Sequence, residues 1–270
     1  MMAETSTLAP VAWATESVQV CGLPLHYQRA GSGPPLLVIP RDNGHAPRNE
    51  CLDRLTESFT VYHPWLPGFH GGDPADWTWL TNARDVAIVL RQFMRELGHE
   101  RLAIAGFGFG GWLAAEMATM SGDRLSALVL VAPMGIQPKD AYIYDQFIAS
   151  TEMYARHGFS DPARFDAIYG HEPDFDQLEG WESDREMTSR VAWKPYMFNA
   201  ALPGLLGGVA APTLIIWGDD DQVVPAECGE RYRDAIPGAR LETIAGAGHA
   251  VDHEQPGALA RAITSFVQSA

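Results

Sequence analysis

Residues 102–120, LAIAGFGFGGWLAAEMATM, constrain the fold of this chain more than any other stretch. The apolar run 102–105 is typical of a buried strand, and residues 109–120 have the periodicity of a helix. Between them the chain reads Gly106, Phe107, Gly108, Phe109 and Gly110. Glycines that alternate in this way favour a sharp turn with little room for side chains. The stretch therefore predicts a strand that turns abruptly into a helix.

Apolar runs alternate with amphipathic stretches along the rest of the chain, which is typical of a parallel sheet covered by helices. Eight runs predict strands, at residues 17–20, 24–29, 36–39, 60–63, 102–105, 127–131, 213–217 and 240–243. Helical periodicity is clearest at residues 82–97, 109–120, 226–235 and 258–268. The sequence thus predicts an α/β fold with an eight-stranded, mostly parallel sheet and flanking helices.

Residues 135–202 do not follow this alternation, because they contain no convincing strand. They predict helices instead, at residues 141–157 before Gly158, at residues 162–169, and at residues 183–193. Twelve of the 27 Phe, Trp and Tyr residues of the chain lie in this segment. We therefore expect a helical insertion at 135–202, and one core domain formed by residues 1–134 and 203–270.

Three further segments occur in an informative order. Residues 63–74 read HPWLPGFHGGDP, residues 212–225 read PTLIIWGDDDQVVP, and residues 246–256 read GAGHAVDHEQP. With the glycine-rich turn, these segments resemble the α/β-hydrolase family over nearly the whole chain. The resemblance implies that residues 106–110 are the nucleophile elbow, G-x-S-x-G in the family. It implies that Asp221 is the catalytic acid, that His249 is the catalytic histidine, and that 135–202 is a helical lid.

The sequence departs from the family pattern at two points. Gly108 occupies the position of the nucleophilic serine and has no side chain. Pro40 and Arg41 replace the His-Gly pair that shapes the oxyanion loop of the family. A serine hydrolase needs a hydroxyl nucleophile, a histidine base, a carboxylate and two N–H donors for the oxyanion. Here the base and the acid are retained, and the Phe109 N–H, at the start of a helix, is expected to serve as one donor.

The loop at residues 40–47 is expected to overhang the site. Arg41 suits an oxyanion or another anionic group of a substrate, and Asn43 and His45 are candidate polar contacts to it. Phe107, next to the elbow position, is a candidate apolar contact. The aromatic lid and the apolar elbow predict a small to medium, partly hydrophobic substrate with a carbonyl or ester group.

The sequence is compatible with three functions. The first is an enzyme of altered mechanism, in which His249, oriented by Asp221, activates water or takes a proton directly from a substrate, as in a lyase or isomerase. The second is a ligand-binding protein with an inactive hydrolase pocket. The third is an ordinary serine esterase in which position 108 was changed deliberately from serine to glycine.

Gly106, Gly108 and Gly111 also spell G-x-G-x-x-G, the dinucleotide-binding pattern. That pattern requires an acidic residue at the end of the next strand, where this chain has Val131, Ala132 and Pro133. A nicotinamide or flavin site is therefore not expected. No cofactor is expected, and no set of metal ligands is recognised.

The formal net charge of −15 excludes partners that require clustered Lys and Arg, namely nucleic acid and anionic membrane surfaces. Three separated cysteines suit a reducing compartment, and no apolar run reaches the length of a membrane span or a signal peptide. A cytoplasmic enzyme with a small-molecule substrate is expected, and the oligomeric state is left open.

Overall fold

A computed structural model describes residues 11–46 and 49–270, in which eight strands form one sheet in the order β1-β2-β4-β3-β5-β6-β7-β8. Strand β2 is antiparallel to β1 and β4, and the other neighbouring pairs are parallel. The predicted strands are confirmed, with ends that differ by a few residues. Residues 1–10 and 47–48 of the predicted core lie outside the described residues. The strands are β1 Ala14–Val20, β2 Leu23–Ala30, β3 Pro35–Ile39, β4 Thr60–Pro64, β5 Leu102–Phe107, β6 Leu125–Val131, β7 Thr213–Gly218 and β8 Arg240–Ile244.

Successive strand residues point to opposite faces of the sheet, and in this chain both sets are largely apolar. Helices therefore cover both faces. One face packs against α2 (Ala83–Glu96), α3 (Phe109–Ser121) and α8 (Glu227–Ala235), and the other against α1 (Glu50–Leu55) and α10 (Pro256–Ser269). Helices α2, α3, α8 and α10 agree with the prediction. The short helix α1 was not predicted. It begins after Asn49, whose side chain accepts a hydrogen bond from the Leu52 N–H at 3.2 Å.

Between β6 and β7 the chain forms α4 (Thr151–His157), α5 (Pro162–Tyr169) and α6 (Phe175–Ala192), followed by α7 (Leu202–Leu205). Phe165 and Trp181 are buried in a small apolar cluster of this helical segment, for which we keep the predicted name lid. The boundary of the insertion at residues 135 and 202 stays a prediction.

The prediction of a helix from residue 141 to residue 157 is wrong in its first part, since α4 begins only at Thr151. In the preceding stretch the backbone bonds to distant groups. Tyr144 donates its N–H to the Val223 carbonyl at 2.8 Å, and Gln146 donates its N–H to the Tyr196 hydroxyl at 2.9 Å. These bonds replace the helical ladder. Helix α6 also begins eight positions before the predicted residue 183, capped by Asp174.

The turn between β5 and α3 brings the helix very close to β3. Gly108 lies there with φ 53° and ψ −115°, in the left-handed range of φ that favours glycine. A Cβ atom built on Gly110 would lie 2.2 Å from the Pro40 carbonyl oxygen. A side chain at Gly110 is therefore incompatible with this packing, which places the first turn of α3 beside the loop that follows β3.

Candidate active site

Asp221 and His249 form a buried hydrogen-bonded pair at the carboxyl end of the sheet. His249 Nδ1 lies 2.9 Å from Asp221 Oδ2, and the two side chains are 5 % and 1 % exposed. Asp221 follows β7, where its other oxygen accepts hydrogen bonds from the N–H groups of Val223 and Val224. As a carboxylate Asp221 can only accept, so Nδ1 carries the proton and Nε2 keeps its lone pair.

The Nε2 atom of His249 faces Gly108. It is buried and has no hydrogen-bond partner within the described part of the chain. A Cβ atom built on Gly108 would lie 2.8 Å from it. Buried polar atoms are nearly always hydrogen-bonded, and a catalytic role is one explanation for an exception. The lone pair of the imidazole is therefore directed at the position where the resemblance implies a nucleophile.

The loop that carries His249, residues 246–250, is held by groups from two sides. Asp219 Oδ1 accepts hydrogen bonds from the Gly246 and Ala247 N–H groups on the core side. Ala250 donates its N–H to the Gly158 carbonyl of the lid at 2.8 Å. We call these residues the histidine loop. Its position depends on the lid as well as on the sheet.

Glu254, in α9 (Val251–Glu254), adds a second link between the histidine loop and the lid. One oxygen of this buried carboxylate accepts from the Gly248 N–H, and the other accepts from the Ser160 hydroxyl and the Asp161 N–H, each at 2.8 Å. Hydrogen bonds to a charged acceptor are stronger than neutral ones. The carboxylate therefore fixes the backbone directly before His249.

Phe109 is the first residue of α3, so its N–H has no acceptor inside the helix. Its ring is fully buried and packs against Phe69 and Trp112. The Gly108 carbonyl oxygen accepts the N–H groups of Trp112 and Met134, which holds the turn in place. The Phe109 N–H thus occupies a helix N-terminus beside Gly108 and His249, where the helix dipole favours negative charge.

Arg41 lies against the elbow. Its Cγ atom is 3.1 Å from a Cβ atom built on Gly108. Its guanidinium forms a buried ion pair with Asp252, and Asp252 also accepts a hydrogen bond from the Asn49 side chain at 2.6 Å. The charge that the sequence suggested for an anionic substrate group is therefore already paired within the protein. The stem of Arg41 fills space beside the glycine.

A cavity of about 300 Å³ is lined in part by Arg41. Its lining includes Asn43, His45 and Phe107, the three predicted substrate contacts, together with Trp65 and Tyr169. Gly108 and His249 are not among its lining residues, whereas Arg41 both lines the cavity and contacts the Gly108 position with its stem.

His45 is stacked in this lining between His63 and Trp65, at ring-centroid distances of 4.0 and 4.7 Å. Burial lowers the pKa of His45 to about 4. His45 is therefore a neutral, aromatic part of the wall at physiological pH.

Two buried carboxylates that accept hydrogen bonds from the lid, Asp42 and Glu254, were not predicted from the sequence. Asp42 follows Arg41 and is 3 % exposed, and its Oδ2 accepts from the Tyr154 hydroxyl at 2.9 Å and from the Gln146 amide at 3.1 Å. Asp42 lies in the loop after β3 and Glu254 lies in the segment 246–256, but donors to both come from the lid, so no local pattern distinguished them from solvated loop residues.

Across residues 11–46 and 49–270, no group of three or more His, Cys, Asp or Glu side chains could hold a metal ion. None of the helices within these ranges is long and apolar enough to cross a membrane. The chemistry available at the elbow is that of an imidazole, carboxylates and backbone N–H groups.

Comparison with known proteins agrees with the resemblance and with the fold described above. The model of the Alpha/beta hydrolase family matches residues 23–262. A 2-hydroxy-6-oxononadienedioate/2-hydroxy-6-oxononatrienedioate hydrolase of Cupriavidus pinatubonensis is 28 % identical over an alignment of 275 positions. The alignment covers 90 % of this chain and 90 % of that protein. The dihydrolipoyllysine-residue acetyltransferase component of the acetoin cleaving system of Cupriavidus necator is 27 % identical over 254 residues. That match covers 87 % of this chain but only 64 % of the relative's length.

Among solved structures, a meta-cleavage product hydrolase from Pseudomonas fluorescens IP01, a mutant complexed with acetates, superimposes with a TM-score of 0.78. The two sequences are 21 % identical, and the match covers 94 % of this chain and 97 % of that one. At this identity the likeness concerns the fold, and it agrees with the sheet order and the flanking helices described above.

Proposed function

Since this chain belongs to the Alpha/beta hydrolase family, we propose that it is an enzyme in which the His249–Asp221 pair acts as a general base without a serine nucleophile. One observation carries the proposal, the buried and unpartnered Nε2 of His249 directed at Gly108. A positioned base next to a residue without a side chain can act on water or on the substrate itself. The reaction would be direct hydrolysis, or a proton transfer of the lyase or isomerase type.

In the proposed mechanism, water takes the position beside Gly108 that a serine hydroxyl would occupy. His249 Nε2 accepts a proton from the water as its oxygen attacks a substrate carbonyl carbon. Asp221 holds the imidazole in the tautomer that leaves Nε2 free and stabilises the imidazolium that forms. The Phe109 N–H, at the N-terminus of α3, stabilises the negative charge that develops on the carbonyl oxygen.

The proposed substrate is a small to medium, partly hydrophobic compound with a carbonyl or ester group. The aromatic wall of the 300 Å³ cavity beside Arg41 supports the hydrophobic part of this description. The Cupriavidus pinatubonensis relative is named as a hydrolase of a keto-dicarboxylate, which supports a carbonyl substrate. We therefore place carbon–carbon hydrolysis of ketones beside ester hydrolysis as the reactions to be tested first.

Arg41 favours a second candidate, a ligand-binding protein without catalysis. Its stem packs against Gly108, and its charge is paired with Asp252. If Arg41 does not move, a ligand can occupy the cavity that Arg41 lines without reaching the buried His249 Nε2. Turnover discriminates the two functions, because a binding protein would retain affinity for the same compounds without converting them.

The test is a turnover screen of the unsubstituted protein, with ketone substrates of the meta-cleavage type and aryl esters over a range of acyl sizes. We expect conversion of at least one compound at a rate that His249 substitution abolishes. Binding detected by calorimetry without turnover of any compound would replace the proposal by the ligand-binding function.

Position 108 provides a prediction about covalent chemistry. We expect a fluorophosphonate probe to leave the chain unlabelled, as measured by intact-protein mass spectrometry, because no hydroxyl among the described residues bonds to His249 Nε2. We expect Gly108→Ala, which adds a methyl group 2.8 Å from Nε2, to lower turnover without creating a nucleophile. Gly108→Ser is the matched variant that adds the hydroxyl.

We expect Gly108→Ser to show slow labelling and modest ester hydrolysis, because its Cβ also meets the Arg41 stem and the second oxyanion donor of the family is replaced. Losing one such donor typically costs ~10²–10³-fold in rate. Stoichiometric labelling of the unsubstituted chain would contradict the proposal by revealing a nucleophile elsewhere. Rapid burst kinetics in Gly108→Ser would instead support an ordinary esterase whose serine was changed.

A further inference from the structure

A second cavity, of about 430 Å³, lies where the end of the lid meets the core helices. From the core it is lined by residues 81–84, at the start of α2, and by two residues of α3. From the lid it is lined by the last turn of α6 and by residues of the following segment 193–201. Among the described residues, it shares no lining residue with the 300 Å³ cavity, and neither Gly108 nor His249 lines it. The reaction proposed above therefore does not use this cavity.

Three cations and one carboxylate line the second cavity, although the chain as a whole carries a formal net charge of −15. The cations are Arg84, Arg190 and Lys194, and the carboxylate is Glu116. Lys194 is one of only two lysines in the chain. An excess of positive charge around one cavity of an acidic protein favours an anionic ligand.

Glu116 is fully buried and has its partners within the protein. Its Oε2 pairs with Arg84 at 3.1 Å, and its Oε1 accepts the Trp112 indole N–H at 3.2 Å and the Asn199 amide N–H at 2.6 Å. Arg84 therefore neutralises the carboxylate, and the charges of the other two cations remain at the cavity.

Arg190 and Lys194 hold no buried partner. Lys194 is exposed, and it makes no ion pair or side-chain hydrogen bond with any residue that the structure describes. Arg190 pairs with Glu186 at 3.6 Å, but that carboxylate is 77 % exposed, and surface ion pairs of this kind contribute little. Its other contact, to the Met187 sulfur at 3.8 Å, is with a weak acceptor. The planar guanidinium is therefore available to bind a carboxylate with two N–H groups.

Aromatic rings form the apolar part of the wall. Trp193 and Phe198 line the cavity, and Trp193 is 52 % exposed. The Trp193 ring is nearly perpendicular to the Phe147 ring, at a centroid distance of 4.8 Å. The segment that carries it is fixed to the core by the Asn199 N–H, which bonds to the Gly135 carbonyl at 3.0 Å. The exposed indole thus lies in a defined position beside the cations, where it can pack against a ring.

We propose that this cavity binds a small aromatic carboxylate. The carboxylate group binds Arg190 and Lys194, and the ring packs against Trp193. The volume is within the range of small-molecule sites, about 300–1,000 Å³. The bound ligand contacts the lid and the core together. This proposal is independent of the proposed function, because binding at this cavity requires neither His249 nor turnover.

The test uses 2-naphthoate, titrated into the full chain at low salt and followed by isothermal titration calorimetry. We expect saturable binding to the parent chain. The double variant that combines Arg190→Gln with Lys194→Gln should bind at least about tenfold more weakly, because it loses the charge-assisted hydrogen bonds to the carboxylate. Both side chains are exposed, so circular dichroism should show that the double variant folds like the parent.

Lys139→Gln combined with Arg164→Gln is the matched control, since it removes the same two residue types from exposed positions outside the cavity. We expect this control to bind 2-naphthoate as the parent chain does. Equal losses in the two double variants would overturn the proposal, because the binding would then depend on net charge alone.

The alcohol 2-naphthalenemethanol tests the anionic class of the ligand, since it keeps both rings and lacks the charge. It should bind the parent chain at least about tenfold more weakly than 2-naphthoate. Equal affinities for the acid and the alcohol would overturn the proposal, as would an unchanged affinity of the Arg190 and Lys194 double variant or no binding of 2-naphthoate at millimolar concentration. His249→Ala should retain full binding, and a parent chain without turnover would remove the proposed function while leaving this proposal standing.

Discussion

His249→Ala is expected to reduce kcat/KM by about 10³-fold on any substrate that the chain converts, because a positioned general base typically contributes ~10²–10⁴-fold. The truncation removes the imidazole whose Nε2 is directed at Gly108, and it leaves Asp221 without its buried partner. Steady-state kinetics on the purified variant measure the effect. Added imidazole should restore part of the rate, since the truncated side chain leaves room for a free base beside Asp221.

His171→Ala is the control for this variant. His171 lies in the lid, its side chain is 87 % exposed, and it pairs with Asp166 on the surface. Its removal should leave kcat/KM unchanged, because surface ion pairs contribute little. Full turnover in His249→Ala, with or without imidazole, would mean that His249 is not the base and would favour the ligand-binding function.

Gly110→Ala is expected to destabilise the fold by at least about 4–5 kcal/mol, a loss typical only of severe steric or packing defects. The new Cβ would lie 2.2 Å from the Pro40 oxygen and 2.4 Å from the Ile39 oxygen, and both contacts are backbone atoms that no rotamer change can relieve. Helix α3 would have to move away from β3, which separates the Phe109 N–H from His249. Urea unfolding followed by circular dichroism measures the loss, and insoluble expression would be its extreme form.

Gly204→Ala provides the comparison. Gly204 lies in α7, and a Cβ atom built there meets nothing within 4 Å. Alanine in a helix is preferred over glycine by roughly 0.5–1 kcal/mol, so this substitution should be neutral or slightly stabilising. If both variants unfolded at the same urea concentration, the close approach of α3 to β3 would not be a determinant of stability.

The sheet could be predicted from the sequence because each strand carries its own signal. Residues 36–39 and 214–217 are continuously apolar, as expected for strands that helices cover on both faces. The stretch 141–150 carries an equally plausible helical pattern, but its backbone bonds to Val223 and Tyr196. Hydrogen bonds to residues so distant in the chain cannot be recognised from the local periodicity of the sequence.

The pairing of Asp221 with His249 could be predicted because each lies in a motif with a fixed place in the chain order. The positions of the buried carboxylates could not be predicted in this way. Asp42 and its partner Tyr154 are 112 positions apart, and Arg41 and Asp252 are 211 positions apart. For Asp42, whether the side chain lies in solvent or in the interior depends on the position of the lid, which the sequence does not specify.

The hydrogen bonds of Glu254 to Gly248, Ser160 and Asp161 have a consequence for protein engineering. Lids of related hydrolases are attractive units to exchange when a new substrate range is sought. In this chain such a chimera would also replace the donors that fix the residue before His249. A grafted lid would therefore need a carbonyl at the position of Gly158 and two donors for Glu254, or the chimera would lose reactivity before its selectivity changed.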